Sequence, residues 1–169
     1  MNSKDAVLAR LRMLGGLELF NIGLFGWLVF FLWDAPASTA NLVGFALFAV
    51  HLVVGGLYWL VKGSQLRAGR SEPPGIGVFR RLRLGCEVGL VAGLVAVSFG
   101  VIAAESWSGW LPGVLLYGMA VAEYVNYFHW QLMYDNRADL RRLRRTGRLH
   151  RSHLSVDLRK FVDLRKFGD

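Results

Sequence analysis

The chain has one cysteine, Cys86, which excludes an internal disulfide. It lacks a Walker loop, a dinucleotide fingerprint, a nucleophile elbow and any clustered Cys/His motif. The readable signatures of nucleotide binding, serine hydrolysis and zinc coordination are therefore missing. Acidic residues are few, 12 against 20 Lys and Arg. The segments 34–40 and 105–109 contain no Lys or Arg, only Asp34 and Glu105. A cleaved signal peptide is not expected. The first apolar stretch is long, holds Glu18 and Asn21, and runs into Trp33-Asp34 without a small-residue cleavage site.

What the chain does have is four apolar stretches, about 17–33, 41–61, 84–104 and 110–133. Each is close to the ~20 residues that cross ~30 Å of hydrocarbon at ~1.5 Å per residue. The expected fold is an all-α, polytopic membrane protein: a four-transmembrane-helix bundle over 1–136, with a basic cytoplasmic tail over 137–169. Charge sets the orientation. Segments 1–13, 62–83 and 137–169 carry net charges of +2, +5 and +7. Short basic segments stay cytoplasmic, so both termini and the 62–83 loop are expected inside. This orientation signal accounts for the basic excess, and no nucleic-acid partner is expected. Cys86 falls at the inner end of the third stretch and reads as a small packing residue.

Residues 3–14 read as a short helix, capped by Ser3 or Asp5, with Val7, Leu11 and Leu14 on one face. It either lies in the headgroup plane or extends the first span, and Gly15-Gly16 would bend the chain between the two. Trp33, Trp107 and Trp110 mark the outer boundary; Tyr58, Trp59, Trp130 and Tyr134 mark the inner one. The third span holds two rows of small residues, Gly85-Gly89-Gly93 and Ala92-Ala96-Gly100-Ala104. Such rows let helices approach closely, so this span should be the most enclosed, and a homo-oligomer is expected with it near the interface or the bundle centre. Pro112 fits the first turn of the fourth span.

Residues 63–79, rich in Gly and Pro, read as a polar loop. The tail should continue span four as a helix through Leu140 and Leu143 to Gly147. Arg141, Arg142, Arg144 and Arg145 are placed to contact anionic lipid or a partner protein at the cytoplasmic leaflet. A perfect tandem hexapeptide then follows, Val156–Phe161 and Val162–Phe167. Its apolar residues scatter on a helical period and do not alternate on a two-residue one. It reads as a recent duplication or an artificial addition.

Ionisable side chains inside a span cost about 2.5–3.5 kcal/mol at its centre, so each requires a reason. Counted from the inner end of each stretch, His51 and Glu123 lie about 15 Å deep. Asn21 and Asn126 lie about 10 Å deep, and Glu18, Glu87 and His129 about 5–6 Å. Glu123, Asn126 and His129 recur every third residue and share one broad helix face.

Three readings follow. The polar face lines an inward-opening cavity for protons or a small cation, with Glu123 and His51 as the deep site. Or the groups are interhelical glue, as pairs such as Glu123–His51 and Glu18–Asn126, in a non-catalytic scaffold or accessory subunit whose tail docks lipids or a partner. Or they hold a metal ion, structural or catalytic, as carboxylates and imidazoles do in other bundles. Against the third, no Glu-x-x-His or His-x-x-x-His spacing occurs, and the different depths of His51 and His129 disfavour a two-histidine haem. The transport reading leads, an enzyme is the less expected outcome, and no cofactor other than a metal ion is in prospect.

Overall fold

The computed structural model describes residues 3–132, 141, 144–145 and 149–166. Helix α1 (Ser3–Trp27) runs into a π-helical turn, Leu28–Leu32. Helices α2 (Thr39–Ala68), α3 (Ile76–Ile102), α4 (Leu111–Phe128) and α5 (His153–Lys166) follow. A 3₁₀ turn, Trp107–Gly109, precedes α4. The described residues are helical, without a strand beyond the single Trp130–Arg151 bridge. Three helices are long and apolar enough to cross a membrane: Lys4–Leu32, Thr39–Ala68 and Ile76–Ile102. Helix α4 has 18 residues. Tyr117, Glu123, Tyr124, Asn126 and Tyr127 interrupt its apolar run.

The helices outrun the apolar stretches because hydropathy ends where polar residues begin, whereas a helix ends where its backbone is capped. The expected loop at 63–79 shrinks accordingly. Helix α2 continues to Ala68 and is closed by Gly69 in the left-handed region at φ 63°. Helix α1 runs unbroken through Gly15-Gly16, so the first segment is an extension and the expected bend is absent. Gly15 instead lets α1 approach α2: a Cβ on it would stand 3.1 Å from the Gly56 carbonyl oxygen. Helix α4 stops at Phe128, short of 133. The amides of His129 and Trp130 both bond back to the Val125 carbonyl, which closes the last turn. Span four therefore does not run on as a tail helix at this point. Tyr134, Asp135, Asn136, Leu140, Arg142 and Leu143 lie outside the described residues.

Helix α2, not α3, is the centre of the bundle. Half of its apolar window is buried, against 28% for α3 and 17% for α1. It packs on α1, α3 and α4. The reason lies in where the small residues fall. Gly44, Gly55 and Gly56 clear α2 on several sides. On α3, Gly89 and Gly93 meet Leu47 and Gly100 meets Ala40, all on α2, while Gly85 meets nothing. The other side of α3 exposes Leu84, Val88, Val91, Val95, Phe99 and Ile102.

Two polar knots hold the ends of the bundle. At one end, Asn41 is fully buried. Its Nδ2 donates to the Pro36 and Ser108 carbonyls, each at 2.9 Å, and its Oδ1 accepts from the Gly113 amide at 2.8 Å. The Ser38 hydroxyl caps α2 and donates to the Gly109 carbonyl. At the other end, α5 docks on α3 and α4. Leu154 and Leu158 enter the core beside Tyr58, Phe79, Cys86 and Phe128.

The hexapeptide, which seemed to fit no helical face, is part of α5. Its first copy supplies Asp157, buried and bonded to the Tyr58 hydroxyl at 2.8 Å and to Lys62 Nζ at 2.7 Å. In the second copy, Asp163 is exposed. The scatter of apolar residues misled because the docked face combines Leu154 and Leu158 with the buried Asp157, which pairs with Lys62. Tyr58 is accordingly a core residue at 1% exposure. Asp157→Ala would leave Tyr58 and Lys62 without their acceptor. Hydrogen exchange over 153–166 should then rise by at least about tenfold, since one charged hydrogen bond contributes about 1.5–3 kcal/mol. Unchanged protection would show that Leu154 and Leu158 hold α5 by themselves.

Candidate functional site

The polar residues of α4 divide between two sides of the helix. Tyr127 packs against Gly55, where a Cβ would fall 2.1 Å from the ring. Tyr124, one turn earlier, meets His51 edge-on at 6.2 Å. Two contacts four residues apart on one helix and three apart on the other mean that α2 and α4 run parallel in register. Glu123 is thus nearly level with His51.

The expected Glu123–His51 pair is nevertheless not formed. Tyr124 occupies the His51-facing position, and Glu123 is rotated ~100° away from it. His51 is 1% exposed, its Nδ1 is 2.7 Å from the Leu47 carbonyl, and its Nε2 has no partner. Glu123 Oε2 accepts from Asn126 Nδ2 at 3.3 Å. The Glu18–Asn126 pair is absent too: Asn126 uses its Oδ1 on the Leu132 amide, at 2.9 Å, just beyond the end of α4.

Glu18 is bound by Tyr127 instead, whose hydroxyl donates to Glu18 Oε1. Glu18 is 8% exposed and lies in the one stripe of α1 that faces α2, with Leu11, Gly15 and Val29. Tyr127 is held in turn by Gly55 beneath its ring and by the Ser152 hydroxyl, which donates to its backbone carbonyl. The Trp59 side chain reaches the same hydroxyl. Glu18 thus bonds Tyr127, and Glu123, one turn before Tyr127 on α4, lies within electrostatic range of both. Among the described residues, no Lys, Arg or His forms an ion pair with either carboxylate.

On the α3 side the arrangement is compensated. Arg83 Nε donates to Glu87 Oε1 at 3.0 Å, and the Tyr124 hydroxyl donates to the same oxygen. His129 Nε2 is 3.3 Å from that hydroxyl. Glu87 and His129, expected at the same depth as Glu18, thus belong to a separate cluster. Asn21 is half-buried on α1, three residues beyond Glu18. Arg141, Arg144 and Arg145 are helical and exposed. Cys86 is buried in the core. Among the described residues, no three His, Cys, Asp or Glu side chains converge in a way that could hold a metal ion.

Reasoning on charge and depth passed over the tyrosines. A signal for them existed. A tyrosine hydroxyl in an apolar layer needs a partner, and Tyr124 and Tyr127 stand on the helix that carries Glu123. Fold and site together define a class: an all-helical bundle with three helices able to cross a membrane and carboxylates within its apolar layer. Comparison of the chain with protein-family models, curated proteins and solved structures gives no match.

Proposed function

We propose that this chain is a four-pass membrane protein that binds and moves a proton or small monovalent cation at Glu18 and Glu123. The observation that carries the reading is that Glu18 is bonded to Tyr127 with Glu123 in electrostatic range of both, and that among the described residues neither carboxylate has a basic ion-pair partner. Two carboxylates in an apolar layer repel one another and are costly to bury as ions. A shared proton or bound cation relieves both costs. Tyr127 fixes Glu18, while Glu123, half-buried, is the group open to exchange. Helix α1 packs chiefly on α2, so a small displacement of α1 would separate the two carboxylates and release the ion.

Orientation follows the positive-inside rule. The described basic residues of the first two segments and of α5 gather at one end of the bundle, and the loops without Lys or Arg gather at the other. In this reading both termini are cytoplasmic. The alternative, a scaffold that docks through its tail, draws on the exposed Arg141, Arg144 and Arg145. It is weakened by α5, whose Asp157, Leu154 and Leu158 are spent on the protein's own core.

Labelling by a lipid-soluble carbodiimide tests the site. In native membranes, Glu123 should be modified faster than the exposed Glu105, and Na⁺ or K⁺ should slow the reaction if a metal cation is the cargo. Protection by neither ion would assign the cargo to the proton. Failure to modify either Glu18 or Glu123 while Glu105 reacts would contradict an exchanging intramembrane site.

A further inference from the structure

The basic end of the bundle holds a cavity of about 340 Å³ between the start of α3, the Trp130–Arg151 crossing and α5. Among the described residues its wall carries four arginines, Arg80, Arg83, Arg151 and Arg159, against one carboxylate, Asp163. Ser155 adds a hydroxyl. The arginines come from three separate parts of the chain, so the fold assembles them; they are not a run along one helix. Arg83 is tied to Glu87 through Nε, which leaves its terminal nitrogens as donors. The Arg151 guanidinium lies 5.2 Å over the Trp130 ring, a contact that orients it without neutralising it. Arg80 and Arg159 form no ion pair among the described residues.

We propose that this cavity binds a phosphate-bearing anion. Several guanidinium groups converging on one concave space is the arrangement that recognises phosphate, because each offers paired N–H donors matched to its oxygens. The source that the surroundings favour is an anionic phospholipid headgroup. Arg80 and Arg83 directly precede the exposed apolar residues Leu84, Val88 and Val91 of α3, along which the acyl chains would lie. The site is distinct from Glu18 and Glu123 and does not depend on ion movement there. The headgroup source rests on the chain spanning a membrane, whereas binding of free phosphate does not.

The test uses the full chain in nonionic detergent, with native mass spectrometry against phosphatidylglycerol and phosphatidylcholine and calorimetry against inorganic phosphate. Phosphatidylglycerol should be retained about tenfold over phosphatidylcholine, the factor that corresponds to about 1.4 kcal/mol. That preference should vanish in Arg80→Gln/Arg159→Gln and persist in Arg67→Gln, which removes a positive charge outside the cavity. Arg80 and Arg159 are exposed, and unchanged helicity by circular dichroism confirms the fold of the variant. Phosphate binding with the same variant dependence, without lipid preference, upholds the anion site and assigns it a soluble source. Equal retention of both lipids with no heat from phosphate overturns the proposal, as does a lipid preference that the double variant retains.

Discussion

Gly113→Ala should unfold or severely weaken the bundle, while Gly118→Ala, on the same helix, should be neutral or mildly stabilising. A Cβ on Gly113 would stand 2.2 Å from the Ala40 carbonyl oxygen and 2.6 Å from the Asn41 amide nitrogen. Both obstacles are backbone, so no rotamer change relieves them, and α2 and α4 must separate. Overpacking costs about 1–3 kcal/mol where side chains can adjust, and the cost here should reach or pass the top of that range. At Gly118 nothing lies within 4 Å of the added atom. There the substitution only exchanges Gly for Ala in a helix, a gain of about 0.8–1.0 kcal/mol of propensity in an aqueous reference helix. Denaturation by SDS from mild detergent, followed by circular dichroism, separates the two. Equal stability of both variants would mean that α2 and α4 do not cross as described.

Asn41→Leu should be comparably damaging, although it makes the residue more apolar and would pass any hydropathy test. The side chain satisfies the carbonyls of Pro36 and Ser108 and the amide of Gly113. Leucine leaves all three without that partner. Each stranded buried polar group costs about 1–3 kcal/mol, so a loss of roughly 3 kcal/mol or more is expected. Because the Gly113 amide takes part in both effects, Gly113→Ala and Asn41→Leu should be non-additive when combined. A stability within about 0.5 kcal/mol of the wild type, the usual range for inconsequential substitutions, would show that water or the loop backbone replaces the amide.

The helical class was readable from apolar stretches of nearly spanning length, and Pro112 falls in the first turn of α4 as its chemistry requires. The centre of the bundle was not readable. The regular small-residue rows of α3 looked more decisive than the irregular glycines of α2, yet Gly44 and Gly55 meet α4 while Gly56 meets α1, so the α2 glycines serve two neighbours. Depth counting brought Glu123 level with His51 correctly but could not give the rotation of α4, which turns Tyr124 to the histidine and Glu123 away. Partnership failed for the same reason at Glu18. Its distance from the end of an apolar stretch placed it near the headgroups, whereas α1 extends well beyond that stretch and Tyr127 closes over it. The docking of α5 through Asp157 depends on contacts some 95 residues away in sequence, at Lys62, which no local period reveals.

The most direct test of the account is ion flux in vesicles containing the purified full-length chain, with a pH, Na⁺ or K⁺ gradient imposed and read by an enclosed dye. Wild-type protein should dissipate one of these gradients. Glu18→Gln and Glu123→Gln should each abolish that flux while keeping wild-type helicity and unfolding, because glutamine retains size and hydrogen bonding and removes only the charge. Wild-type vesicles as tight as empty ones to all three ions, or full flux in both glutamine variants, would contradict it.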